Sequence, residues 1–146
     1  MRYVLDTNIV SALMRPEAAV LLRLKRTNRR EVLVPQPVLA EIAYGIARLP
    51  KSRRKQHLKD RFDLVVGTLA RIDWTDSVSL AFGAIKAALE RKGRRIEDFD
   101  IAVAAHALAN DATLVTTNVK HMAGVPDLLI EDWRAPTQRR RLGNQK

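Results

Sequence analysis

The chain contains no cysteine. Disulfides, thiolate metal sites and cysteine nucleophiles are therefore excluded. Its six glycines are scattered. None builds the GxxxxGKS or GxxxxGKT loop that cradles nucleotide phosphates, which argues against an NTPase. No GxSxG occurs, so the usual hydrolase elbow is missing. No apolar run approaches the ~20 residues needed to cross a bilayer. Only Tyr3, Val4 and Leu5 separate Arg2 from Asp6, too few for the apolar core of a signal peptide. These absences lead to the expectation of a soluble, cytoplasmic protein with no membrane role. Acid is also scarce: 16 Asp and Glu stand against 26 Lys and Arg, a formal charge of +10 on 146 residues. Such a length suits one domain with a real core. Such a charge attracts phosphate backbones and releases their counterions, so nucleic acid is the first partner to consider. An acidic protein, an anionic membrane and plain solubility are the competing explanations.

What is present alternates. Short β-rich runs at 2–6, 32–34, 70–73, 113–117 and 128–130 predict five strands. Between them lie segments of helical spacing. The first two are 8–14, stopping before Pro16, and 17–27, with Val20, Leu21 and Leu24 on one stripe. A third runs from Gln36 to about Leu49, with Pro37 in its first turn, and a fourth, 53–69, starts behind Ser52 as cap. Thr75 or Asp76 opens a helix that Gly93 ends. Asp98 caps the helix through FDIAVAAHALAND. Strands alternating with helices need right-handed crossovers, which give a mainly parallel sheet covered on both faces. Residues 1–133 form the domain. The segment 134–146 holds Arg134, Arg139, Arg140, Arg141 and Lys146 without an acid, and is expected to be a flexible basic tail or an interaction arm.

In a parallel sheet, sites lie beyond the carboxyl ends of the strands. The strand YVLDTN ends on Asp6 at such a point. Glu41 interrupts an apolar helix soon after the second strand, between Ala40 and Ile42. Asp100 sits in the first turn of the apolar IAVAA helix, and Asn118 follows TLVTT. Each has a plainer reading. Asp6 can be a turn or cap residue, Glu41 a solvated residue or the partner of Arg48, and Asp100 a helix-dipole acid worth ~0.3–1 kcal/mol. Taken together, three acids occupy points where apolar elements meet the same end of the sheet.

Carboxylates gathered there repel: two unit charges ~4 Å apart interact by about 4 kcal/mol at an effective dielectric near 20. Either one takes up a proton or a cation sits between them. An oxygen-rich set without Cys or paired His favours Mg²⁺ or Mn²⁺ over zinc. His57, His106 and His121 are scattered and show no ligand spacing. A divalent ion beside a basic surface points to phosphodiester cleavage.

YVLDTN, VLAEIAYGI and EDFDIAVAAHALANDATLVTTN, in that order, resemble a PIN-domain protein of the VapC type, including its FitB-like branch. The resemblance covers residues 2 to about 133. It implies a three-layer α/β/α PIN-like fold with a mainly parallel sheet of four to five short strands. It also implies a metal site in which Asp6, Glu41, Asp100 and Asn118 match in turn, with Thr7 beside the first Asp and Thr116 as the Thr of TxN. Some relatives carry Asp at the position of Asn118, and IAVAA replaces the commoner LLIAA. Counting back from TLVTTN selects Asp100 over Asp98.

On this reading the protein is a Mg²⁺-dependent endoribonuclease, the toxin of a type II toxin–antitoxin pair. It would form a homodimer and be inhibited by a VapB- or FitA-like antitoxin that also binds operator DNA. An inhibitor of a basic groove is expected to bring acids, or an arginine that reaches Asp6 and Asp100. Asp6 and Asp100 are the expected direct metal ligands. Glu41 is expected to act through water or as base, Thr116 and Asn118 to orient a water or an acid, and Thr7 to hold Asp6. Arg53, Arg54, Lys55, Arg94 and Arg95 are candidates for RNA contact. A non-catalytic PIN-like module that binds RNA or protein is the alternative, and the intact acid set counts against it. A phosphatase of the haloacid-dehalogenase type wants a second Asp two residues after the first, where this chain has Asn8.

Overall fold

The computed structural model describes residues 1–135. Five strands make one sheet in the order β3-β2-β1-β4-β5, with every neighbouring pair parallel. They are β1 (Arg2–Leu5), β2 (Val32–Pro35), β3 (Ala70–Ile72), β4 (Ala112–Val115) and β5 (Ile130–Glu131). The connecting helices are α1 (Thr7–Met14), α2 (Ala18–Arg26), α3 (Gln36–Ala47), α4 (Arg53–Thr68), α5 (Asp76–Arg91), α6 (Asp98–Ala109) and α7 (Val119–Met122). With right-handed crossovers, β1-β2-β3 advance one way and β4-β5 the other, so helices cover both faces in three layers. α1 packs against α2, α3 and α4, while α6 lies against α5, β1 and β4. No helix of the described residues is long and apolar enough to cross a membrane.

The central strands explain their own composition. Val4 and Leu5 in β1, Val32 to Val34 in β2 and Leu114 and Val115 in β4 are buried on both sides. A parallel strand in that setting reads as a continuous apolar run. Its edges differ: Ala70 and Arg71 of β3 are exposed. Trp133 closes the far side, fully buried. Tyr3 meets its ring edge-on at 5.6 Å, and the Arg23 guanidinium sits 5.6 Å above it while also pairing with Glu131 at 2.6 Å.

α5 stops where glycine predicts it. Gly93 has φ +66°, Gly93 N–H donates to Glu90 O and Arg94 N–H to Leu89 O. These two bonds make a Schellman motif, which needs the left-handed conformation glycine adopts freely. Other boundaries differ from expectation. α1 begins at Thr7, because Asp6 is its N-cap. Asp98 is the first residue of α6, and the capping position belongs to Glu97, without a side-chain cap bond. The Asp98 carboxylate instead pairs with Lys86 at 2.9 Å. The last strand lies at 130–131, not 128–130: its pairing with β4 starts at Ile130 opposite Leu114, and Leu129 contributes only its carbonyl, which accepts from Leu114 N–H. The short helix α7 and a 3-10 turn at Arg29–Glu31 were not expected. Each is too brief to leave a periodic pattern. The expected tail beyond Ala135 lies outside the described residues.

Candidate functional site

Strand register builds the site. Leu5 pairs with Val115 as the last residues of β1 and β4, so Asp6 and Thr116 emerge side by side. Asp6 N–H donates to Val115 O at 2.9 Å, which extends the ladder by one step. Asp6 is only 2% exposed and Thr116 is fully buried. A buried carboxylate must be satisfied, and this one is. Its Oδ1 accepts from Thr7 N–H at 2.8 Å, and its Oδ2 accepts from the Thr116 hydroxyl at 2.8 Å and from Asn8 Nδ2 at 3.4 Å. Asp6 thus is a helix cap, as its plainer reading had it, and also the centre of a polar network.

Glu41 comes from the second turn of α3, which follows β2 directly. The Thr7 hydroxyl donates to its Oε1 at 3.0 Å. Thr7 therefore holds both acids, Asp6 through its backbone N–H and Glu41 through its hydroxyl. The expected role for Thr7 covered only the first. Among the described residues Glu41 makes no ion pair with Arg48. Asp100 comes from the first turn of α6. Its Oδ2 lies 3.4 Å from His121 Nε2.

Fields link the three acids. Burial pushes the Glu41 carboxyl up; the Thr7 hydrogen bond opposes this, and the negative charges of Asp100 and Asp6 add to it. Burial pushes Asp100 up as well, reinforced by Asp6 and opposed by His121. No lysine or arginine pairs with any of the three among the described residues. Nor does any group of three or more His, Asp or Glu there stand ready as a complete metal cage. The donors still fit a hard divalent cation. Mg²⁺ is commonly held by one or two carboxylates, with water and substrate phosphate completing its shell. Oxygen atoms under mutual repulsion, with no cation of the protein's own, are the chemistry such an ion matches.

Asn118 sits at the start of α7 and is exposed. Its backbone N–H donates to the Thr116 hydroxyl oxygen at 3.0 Å, and its side chain caps no helix. Asn8 also reaches across, accepting from Thr117 N–H at 3.1 Å. His121 was not singled out as a site residue by sequence reasoning. Asn8 had a signal, two residues from Asp6 on the same turn. His121 had none, because its contact exists only once 119–122 are helical.

The basic candidates separate. Arg53 and Arg54 are exposed at the start of α4. Lys55 is engaged, its Nζ donating to Ala47 O at 3.2 Å and Leu49 O at 3.1 Å at the end of α3. Arg61 Nε likewise donates to Met14 O at the end of α1. Arg95 is exposed. Arg94 lies over Gly124, where a Cβ would collide with its guanidinium.

The sequence matches the PIN domain family over residues 3–126. The chain belongs to the PIN-domain family. Ribonuclease VapC2 of Rickettsia felis is 33% identical over 135 residues, covering 91% of this chain and 98% of that protein. The tRNA(fMet)-specific endonuclease VapC of Shigella flexneri is 28% identical over 136 residues, with the same coverage. Among solved structures, VapBC2 from Rickettsia felis bound to a promoter DNA fragment matches this PIN domain with a TM-score of 0.80 and 31% identity. That match covers 91% of this chain and 99% of the other.

Proposed function

We propose that this PIN domain is an endoribonuclease, the toxin of a type II toxin–antitoxin pair, acting in the cytoplasm on RNA with Mg²⁺ or Mn²⁺. The observation that carries the reading is the buried Asp6, hydrogen-bonded at both oxygens, whose negative charge acts on Glu41 and Asp100. The ribonuclease names of its relatives point the same way.

Asp6 and Asp100 would hold the cation. When bound, that ion supplies an acidified water and a positive charge against the charge that develops on the phosphate oxygens. Thr116 and Thr7 keep the Asp6 oxygens aimed, so no reorganisation is needed at the moment of reaction. Glu41 holds a proton more readily than an ordinary carboxylate. That suits a base that takes a proton from the attacking water. Asn118 fixes the Thr116 hydroxyl through its backbone, and its exposed side chain is free to meet water or RNA. Arg53, Arg54 and Arg95 offer exposed cations for the RNA backbone.

The partners of the reading are a VapB- or FitA-like antitoxin, operator DNA held through it, and a second copy of this chain. Relatives solved as VapBC complexes on promoter DNA support the first two.

The test is cleavage of labelled RNA by the purified chain in Mg²⁺, beside Asp6→Asn. The variant should keep the wild-type circular dichroism and lose cleavage, and EDTA should silence the wild type. Cleavage that survives either change overturns the proposal.

A further inference from the structure

We infer that His121 is a positioning residue for Asp100, resting on the metal-site reading above: it holds Oδ2 so that the other carboxylate oxygen faces the cation. The argument begins with α7. This four-residue helix reaches Asp100 directly and Asp6 through Thr116. At its start, Asn118 N–H donates to the Thr116 hydroxyl, which donates in turn to Asp6 Oδ2. In its last turn, His121 Nε2 stands 3.4 Å from Asp100 Oδ2. One turn therefore links the two carboxylates, which come from the N-cap of α1 and from α6.

His121 is also the only basic side chain in contact with the acid set among the described residues. His121 Nε2 approaches Oδ2, which leaves Oδ1 of Asp100 without that partner. Outer partners of this kind fix the orientation of ligating groups, and their loss commonly costs 10–100-fold in metal affinity or activity. The anchor of α7 is firm. Met122 is fully buried, Met122 N–H donates to Asn118 O and Ala123 N–H to Val119 O. His121, by contrast, has a side chain 42% exposed, so it can be replaced without opening the core.

The experiment measures Mn²⁺ binding by the electron paramagnetic resonance of free Mn²⁺, and RNA cleavage as a function of Mn²⁺ concentration. It compares wild type, H121A and H121Q. Glutamine can place an N–H near the position of Nε2, so it tests the bond apart from the imidazole. H121A is expected to raise the Mn²⁺ dissociation constant about tenfold or more. Its cleavage should recover toward the wild-type maximum as Mn²⁺ is raised, and H121Q should restore most of the affinity. H121A that binds Mn²⁺ like the wild type overturns the inference. So does a loss of cleavage that saturating Mn²⁺ fails to rescue, which places His121 on the RNA. Weak binding by H121Q equal to that of H121A makes the imidazole itself a ligand, and overturns it too. Failure of the metal-site reading looks different: the wild type then binds no Mn²⁺, and Asp6→Asn changes nothing.

Discussion

The Thr116 hydroxyl donates to Asp6 Oδ2 at 2.8 Å, across 110 residues of sequence and out of contact with solvent. Its oxygen accepts at the same time from Asn118 N–H. Thr116→Val keeps the shape and removes both bonds. A buried hydrogen bond to a charged group contributes about 1.5–3 kcal/mol. The variant should lose stability on that order in urea unfolding and lose most cleavage. Thr116→Ser should keep far more of both.

Glu41 predicts a pH effect of definite sign. Burial is the main cause that lifts its carboxyl above the ordinary range, with Asp100 and Asp6 adding to it and the Thr7 bond opposing. The folded state therefore keeps a proton that the unfolded chain has released. That contribution is fully present below the unfolded value near ~4.3 and is lost as pH rises through the higher folded one. Glu41→Gln, which can still accept from Thr7, removes this slope. Melting temperatures measured in EDTA should show it more stable than the wild type at neutral pH, with the gain shrinking in acid. A gain that persists unchanged into acid contradicts this account.

His106 predicts the opposite slope. It is fully buried, its Nδ1 lies 2.7 Å from Ala102 O, and its Nε2 has no partner among the described residues. The ring meets Trp74 edge-on at 5.3 Å. Burial pushes its pKa down, against the backbone bond that favours the charged form. The unfolded chain then binds a proton that the folded state refuses. Stability should fall as pH drops through the unfolded value near ~6.5. His106→Leu should flatten that part of the melting-temperature profile.

The basic residues of α4 should divide by function. Lys55→Ala and Arg61→Ala remove caps from the ends of α3 and α1, so they should lower the melting temperature. Arg53→Ala with Arg54→Ala should leave stability nearly unchanged and weaken RNA binding. For single-stranded RNA, the slope of log affinity against log salt should shrink by about 0.7 for each phosphate that the variant no longer neutralises. Filter binding at several salt concentrations reads this directly.

The sheet and most helices were legible because burial writes itself into composition. VLV at 32–34 and LV at 114–115 are apolar since both sides are covered, and Gly93 marks the end of α5. Asp6, Glu41 and Asp100 were legible as acids set in apolar elements. What sequence could not show was division of labour. Thr7 splits its two donors between two acids, and Lys55 donates to carbonyls at the end of α3. Both depend on side-chain direction. The contact between His121 and Asp100 depends on a single helical turn that no periodicity announces.

The register that sets Leu5 beside Val115 has a consequence for synthesis. Asp6 is made 110 residues before Thr116, which aims it. Joining ends so distant costs loop-closure entropy before any contact repays it. A growing chain that ends between Glu41 and β4 carries Asp6 and Glu41 but neither the strand nor the hydroxyl that completes the site. The acid site of a nascent chain is therefore incomplete until β4 has joined the sheet.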